Sequence, residues 1–168
     1  GLGAGALPSM TSLYLIRVHT GDAGASALAA ALGRGALPRL KSLVLDYADI
    51  GDAALVALAP ALRRLPALES LSLDDNPFGD EGLAALVAAS PLPVGAPPPP
   101  TGVLSKLKML FLSRTQITDS SCAALASALD SGALPALEHI YLLSTLASDQ
   151  AVAVVECMVE ETLAAQPC

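Results

Sequence analysis

The hydrophobic positions of this chain recur in a short phrase that alternates leucine with variable residues: LPSMTSLYL, LPRLKSLVL, LPALESLSL, LSKLKMLFL and LPALEHIYL. The phrases begin at Leu7, Leu37, Leu65, Leu104 and Leu134, so successive repeats lie 30, 28, 39 and 30 residues apart. Alternation through the middle of each phrase has the period of two expected of a strand with one face buried. The second repeat buries Leu40, Leu43, Leu45 and Ile50 on this reading, the third Leu68, Leu71, Leu73 and Phe78, and the fourth Leu107, Leu110, Leu112 and Ile117. Behind each strand the spacing changes to three and four residues, as in Leu55, Leu58 and Leu62 or Leu125 and Leu129, which marks a helix with one apolar face. The pattern predicts helices over 23–33, 53–63, 81–89, 120–130 and 150–165. Strand and helix alternating at a fixed period near 30 predict an α/β solenoid of about five repeats, with parallel strands on the concave face and helices on the convex face.

An aspartate follows each strand, at Asp22, Asp52, Asp80, Asp119 and Asp149. A carboxylate there accepts hydrogen bonds from first-turn amides and complements the helix dipole, so each is expected to cap the helix it begins. Removing one is then expected to cost roughly 1 kcal/mol. Pro60 falls inside the second helix, removes a hydrogen bond and predicts a kink or an early end. In the last helix Val152, Val155, Val159 and Leu163 are expected inward and Glu156, Glu160 and Glu161 outward, making a partial cap for the stack. The surplus of the third repeat is a proline-rich insertion at 90–102, whose run from Pro97 to Pro100 favours polyproline II and is read as a surface loop. Nothing ahead of Leu7 has the character of a cap, and Gly1 to Ala6 read like the tail of a repeat. Residues 1–168 are therefore expected to be one domain, a fragment of a longer array, with self-association possible through its N-terminal end.

The phrase LPxLxxLxLxxNxIGDxGxxALAxAL, traced from Leu65 to Ala89 and through its sister repeats, resembles the ribonuclease-inhibitor type of leucine-rich repeat. Ribonuclease inhibitor, Ran GTPase-activating proteins and the sensing ends of NOD-like receptors share that type. The resemblance implies recognition of another protein, usually through the concave face. A GTPase-activating role is implied by the resemblance alone, and no set of activating residues maps onto this chain. The chain departs from the pattern in its turns: only Asn76 keeps the turn asparagine, with Val18, Ala48, Thr115 and Thr145 elsewhere, and Thr20 and Ala147 replace the following isoleucine. The turn hydrogen bonds are therefore expected to be rearranged.

Composition narrows the function. Hydrophobic residues make up 53% of the chain, but alanine dominates them, and Asp22, Asp52, Pro60, Arg63 and Arg64 interrupt the apolar runs. None approaches the ~18 residues of a spanning helix, so no membrane association is expected. A net charge of -7 with nine scattered Lys and Arg residues argues against nucleic acid. Cys122, Cys157 and Cys168 form no metal-binding spacing and no disulfide framework, which suits the cytoplasm. His19 and His139 have no partner nucleophile, and no phosphate-binding glycine loop is present, so neither an enzyme nor a cofactor nor a metal is expected.

What remains is a binding surface. Tyr14, Phe111 and Tyr141 share one outward strand position, and Tyr47 lies three residues further along its own repeat. In a chain with 3% aromatic residues, this placement marks apolar anchors for a partner. Asp46 and Asp74 are expected side by side, with Asp49 and Asp75 nearby and Arg17 and Arg114 flanking them. The acidic group is read either as solvated or as a socket for a Lys or Arg of the partner. A protein-binding module is thus the leading expectation, with a purely structural segment of a longer solenoid as the alternative.

Overall fold

The computed structural model describes residues 9–87 and 104–164. The proline-rich insertion at 90–102, the segment ahead of residue 9 and Cys168 lie outside the described residues. Five strands, β1 (Ser12–Tyr14), β2 (Ser42–Val44), β3 (Ser70–Ser72), β4 (Met109–Phe111) and β5 (His139–Tyr141), form one parallel sheet in sequence order. They alternate with helices α1 (Gly21–Gly33), α2 (Asp52–Leu62), α3 (Asp80–Val87), α4 (Asp119–Asp130) and α5 (Asp149–Ala164). Each strand pairs only with its sequence neighbours, and consecutive helices pack on one another, which is the nearest-neighbour architecture of a solenoid.

Register explains why the alternation is so regular. Leu13, Leu43, Leu71, Leu110 and Ile140 stand in one row, and each of the three central leucines is fully buried. A second row comprises Leu45, Leu73, Leu112 and Leu142, which are buried against Leu55, Leu58, Leu83, Leu86 and Leu125 of the helices. A slip of one residue in any strand would turn its whole leucine set to the outer surface, so the pattern itself fixes the register. Cys122 is buried in this core, and its thiol is pushed up first by burial and then by the nearby Asp119 and Asp80 charges.

The helices begin one or two residues ahead of the expected starts, because the aspartate of each repeat already lies in the first turn. Pro60 does not stop α2, which runs on to Leu62. Pro60 is exposed, and Val56, whose carbonyl it deprives of an amide donor, is 39% exposed. In α5, Val155 and Val159 are buried as expected, but Leu163 is 40% exposed and does not join the core.

The aspartates act differently from expectation. Asp52 does not cap its own helix; its Oδ1 accepts hydrogen bonds from Gly79 N at 2.9 Å and Gly82 N at 2.7 Å, at the start of α3 in the next repeat. Asp80 likewise accepts from Thr118 N at 2.8 Å, Thr118 Oγ1 at 2.7 Å and Ser121 Oγ at the start of α4. Asp119 accepts from Ser148 N at 2.6 Å and Ser148 Oγ at 3.0 Å at the start of α5. Each carboxylate thus meets the positive end of the following helix rather than of its own. Close approach is essential at Gly82, where a Cβ would stand 2.9 Å from Asp52 Oδ1 and 3.2 Å from Leu55 Cβ. Burial pushes the Asp80 carboxyl up, but the bonds from Ser121 and Thr118 outweigh it and hold the group below its ordinary value. Its contribution is therefore complete above the ordinary carboxylate range and is lost as pH falls through the lowered folded value.

This relay gives a direct expectation for Asp52→Ala. The loss should be about 1.5 kcal/mol, since two amides lose their acceptor. Hydrogen exchange should accelerate at Gly79 and Gly82, at the start of α3, while the first turn of α2 keeps its protection. Faster exchange in α2 alone would restore the own-helix assignment.

Candidate protein-binding face

The side chains that alternate with the core leucines all project from the inner face of the sheet. Row by row across β1 to β5 they are Ser12, Ser42, Ser70, Met109 and His139, then Tyr14, Val44, Ser72, Phe111 and Tyr141. Continuing the same register past the strand ends gives Ile16, Asp46, Asp74, Ser113 and Leu143. The next row is Arg17, Tyr47, Asp75, Arg114 and Ser144, and all five have a left-handed backbone, with φ between 53° and 57°. The amides of Arg17, Tyr47, Asp75 and Arg114 still donate to the following repeat, at 2.8–3.2 Å, so this row closes the sheet ladder while turning the chain away from it. No glycine occupies it, although glycine would adopt the conformation without strain.

Every residue expected from the sequence to form the site lies on this face or its rim, as an aromatic stack, a polar cluster, an acid pair and the separate Tyr14. Phe111 and Tyr141 are neighbours, stacked with ring centroids 4.6 Å apart and planes 7° from parallel. Tyr14 stands on β1, three strands from Phe111, and is 61% exposed. Tyr47 belongs instead to a polar cluster: the Arg17 guanidinium lies 5.4 Å from its ring centroid, and Arg114 Nη1 donates to Tyr47 Oη at 3.2 Å and to Asp75 Oδ1 at 3.3 Å. Tyr47, Asp75 and Arg114, with Asp49, Ser144 and Leu146, line an open depression of about 400 Å³. His19 Nδ1 meets Asp49 Oδ2 at the exposed rim, a pair that pattern reading did not anticipate.

Asp46 and Asp74 are side by side. Asp46 Oδ1 accepts from Ser72 Oγ at 2.6 Å and from Asp74 N at 3.2 Å, and Asp74 Oδ1 accepts from Ser113 N at 2.7 Å. The second oxygen of each takes no hydrogen bond among the described residues. Burial raises the Asp74 carboxyl above its ordinary value and the charges of Asp46 and Asp75 add to the rise, against the opposing Ser113 amide and Arg114. Arg17 and Arg114 bring positive charge to the row that follows the acid pair, and in the segments leading into the strands Lys41 pairs with Glu69 and Lys108 with Glu138.

The pattern of the repeats and the fold have known counterparts. The leucine rich repeat pattern matches residues 37–59 and 65–87, the second and third repeats. Among solved structures, the chain is similar to one described as leiomodin-1 actin-binding site 2, with a TM-score of 0.71 at 16% identity, covering 94% of this chain and 83% of that one. The fold is a leucine-rich repeat solenoid. Among curated proteins, no sequence matches the chain. Two of the departures from the turn asparagine change how the turn is bonded. Asn76 reaches back into the second repeat, whereas Thr115 and Thr145 bond only to Leu112 O and Leu142 O within their own turns. Among the described residues no group of carboxylates, cysteines and histidines has the geometry to hold a metal ion, and no helix is long and apolar enough to cross a membrane.

Sequence reading missed three members of this surface. Leu143 is 68% exposed at the position where the second and third repeats carry Asp46 and Asp74, and Met109 and His139 extend the apolar side of β4 and β5. The signal was present in the doublet Leu142 and Leu143: strict alternation requires one of two adjacent leucines to face outward.

Proposed function

We infer that this chain is a protein-interaction module that engages its partner through the inner face of the sheet. The observation that carries the reading is the distribution of large side chains. Among the described residues, forty apolar ones are buried in one continuous core. Yet Tyr14, Tyr47, Tyr141 and Leu143 are left exposed on one face, beside the half-buried ring of Phe111. Exposed aromatic rings with a polar rim are what protein interfaces use as anchors. The named structural relative carries an actin-binding site in its description, which supports a protein as the partner class without transferring actin itself. The helix present in every repeat is what a ribonuclease-inhibitor-type solenoid would have, and we favour that subtype.

The test compares the unmodified chain with a Tyr47→Ala, Phe111→Ala, Arg114→Glu triple variant as bait in a cytosolic extract, after circular dichroism has shown that both are folded. Proteins retained only by the unmodified chain are the expected result. Equal retention by both would remove the inner face from consideration and leave a purely structural role.

A further inference from the structure

The inner face is divided by strand. Over β2 and β3 it is small and acidic, with Ser42, Ser70, Ser72, Asp46 and Asp74; over β4 and β5 it is bulky and apolar, with Met109, Phe111, Tyr141 and Leu143. We propose that the partner segment is an amphipathic helix lying across the strands, with a Lys or Arg side chain placed on Asp46 and Asp74 and a bulky apolar side chain two turns away on the Phe111, Tyr141 and Leu143 shelf. This rests on the reading that the inner face binds protein, and it specifies what kind.

Three observations support it. The first is charge: two carboxylates side by side each keep an oxygen without a donor, and their neighbours raise the Asp74 carboxyl after burial has already done so, a repulsion that a partner cation relieves. Arg114 supplies only part of that relief, since its hydrogen bonds go to Asp75 and Tyr47. The second is spacing. The acid pair spans β2 and β3 and the aromatic stack spans β4 and β5, two strand spacings or about 10 Å apart across the sheet, with the acids two residues, about 7 Å, further along their strands. A helix rises about 10.5 Å over seven residues and returns to the same face, so on a helix running obliquely over the strands long side chains at positions i and i+7 reach the two groups. The third is the backbone. Strands β2, β3 and β4 are paired on both sides, so this surface offers no free ladder to an extended peptide. A helix arrives with its own backbone bonds made.

The probe is a displayed library of 18-residue helical peptides with randomised outer positions, selected against the whole folded chain. The expected consensus carries Lys or Arg seven positions from Leu, Phe or Met. Synthetic winners should lose about tenfold in affinity against Tyr141→Ala, about tenfold against an Asp46→Asn, Asp74→Asn variant, and further affinity as salt is raised. The amide variant retains the shape and the acceptor oxygens, so its folding is not at issue. Winners that depend on Tyr141 but ignore the amide variant and carry no basic residue overturn this proposal and leave the interaction face standing. Winners indifferent to both variants overturn the face itself, and a selection that yields no helical binder overturns the proposal.

Discussion

Asn76→Ala is expected to lower stability by about 3 kcal/mol, the loss being read as a shift of the denaturant midpoint at unchanged slope. Asn76 is 2% exposed, and its amide is fully used. Oδ1 accepts from Ala48 N at 3.0 Å and Ile50 N at 3.1 Å; Nδ2 donates to Leu45 O at 2.7 Å, Leu73 O at 3.0 Å and Asp74 O at 3.2 Å. Alanine orphans two buried amides of the second repeat, at about 1–3 kcal/mol each, and returns nothing, because the methyl group reaches neither. Asn76→Thr should fall between the two, since Thr115 at the equivalent position shows that a hydroxyl restores one bond within the turn and none across the repeats. A loss below 1 kcal/mol for alanine would mean that water enters the turn and replaces the amide.

Phe78→Ala is expected to cost about 3–5 kcal/mol by the same measurement. The ring is fully buried in the row that Ile50 and Ile117 fill in the neighbouring repeats, and it is the largest side chain in the core. Truncation removes its burial and leaves a cavity between two layers whose positions are fixed by the sheet register on one side and by helix packing on the other, so little collapse is available. Phe78→Leu, which approaches the volume of the flanking isoleucines, should cost only about 1 kcal/mol. Equal losses for leucine and alanine would show that the aromatic edge, and not the volume, is what the site needs. Asn76 and Phe78 share one turn, so their double variant should fall short of the sum.

The fold was legible because its two periods are redundant. Five strands repeat the same alternation and five helices the same three-to-four spacing, so no single ambiguous residue decides an element. The buried leucines and the inward Phe78 were readable for that reason. Contacts that cross from one repeat to the next were not. Asp52, Asp80 and Asp119 open helices, and local spacing assigns them to those helices; only the stacking of repeats brings the start of the following helix within 3 Å. Pro60 was expected to kink or end its helix, and the helix does not end there but runs on to Leu62. On the candidate face, the side-by-side aspartates and the shared row of Phe111 and Tyr141 followed from strand register alone. The engagement of Arg114 with Tyr47 and Asp75, residues 67 and 39 positions away, did not.

The forward reach of the aspartates changes what counts as a module in this chain. By sequence the unit is a strand followed by its helix. By bonding, the start of α3 belongs to Asp52, that of α4 to Asp80 and that of α5 to Asp119. A repeat lifted out whole would leave its helix start without an acceptor and carry away an aspartate with nothing to hold. Duplication, deletion or grafting therefore has to match a junction: a carboxylate facing forward must meet glycine amides or a Thr or Ser hydroxyl facing back. Repeats of this chain are interchangeable only as far as that handshake is kept, and it gives the array a polarity, second repeat to last, that the repetition of leucines alone does not contain.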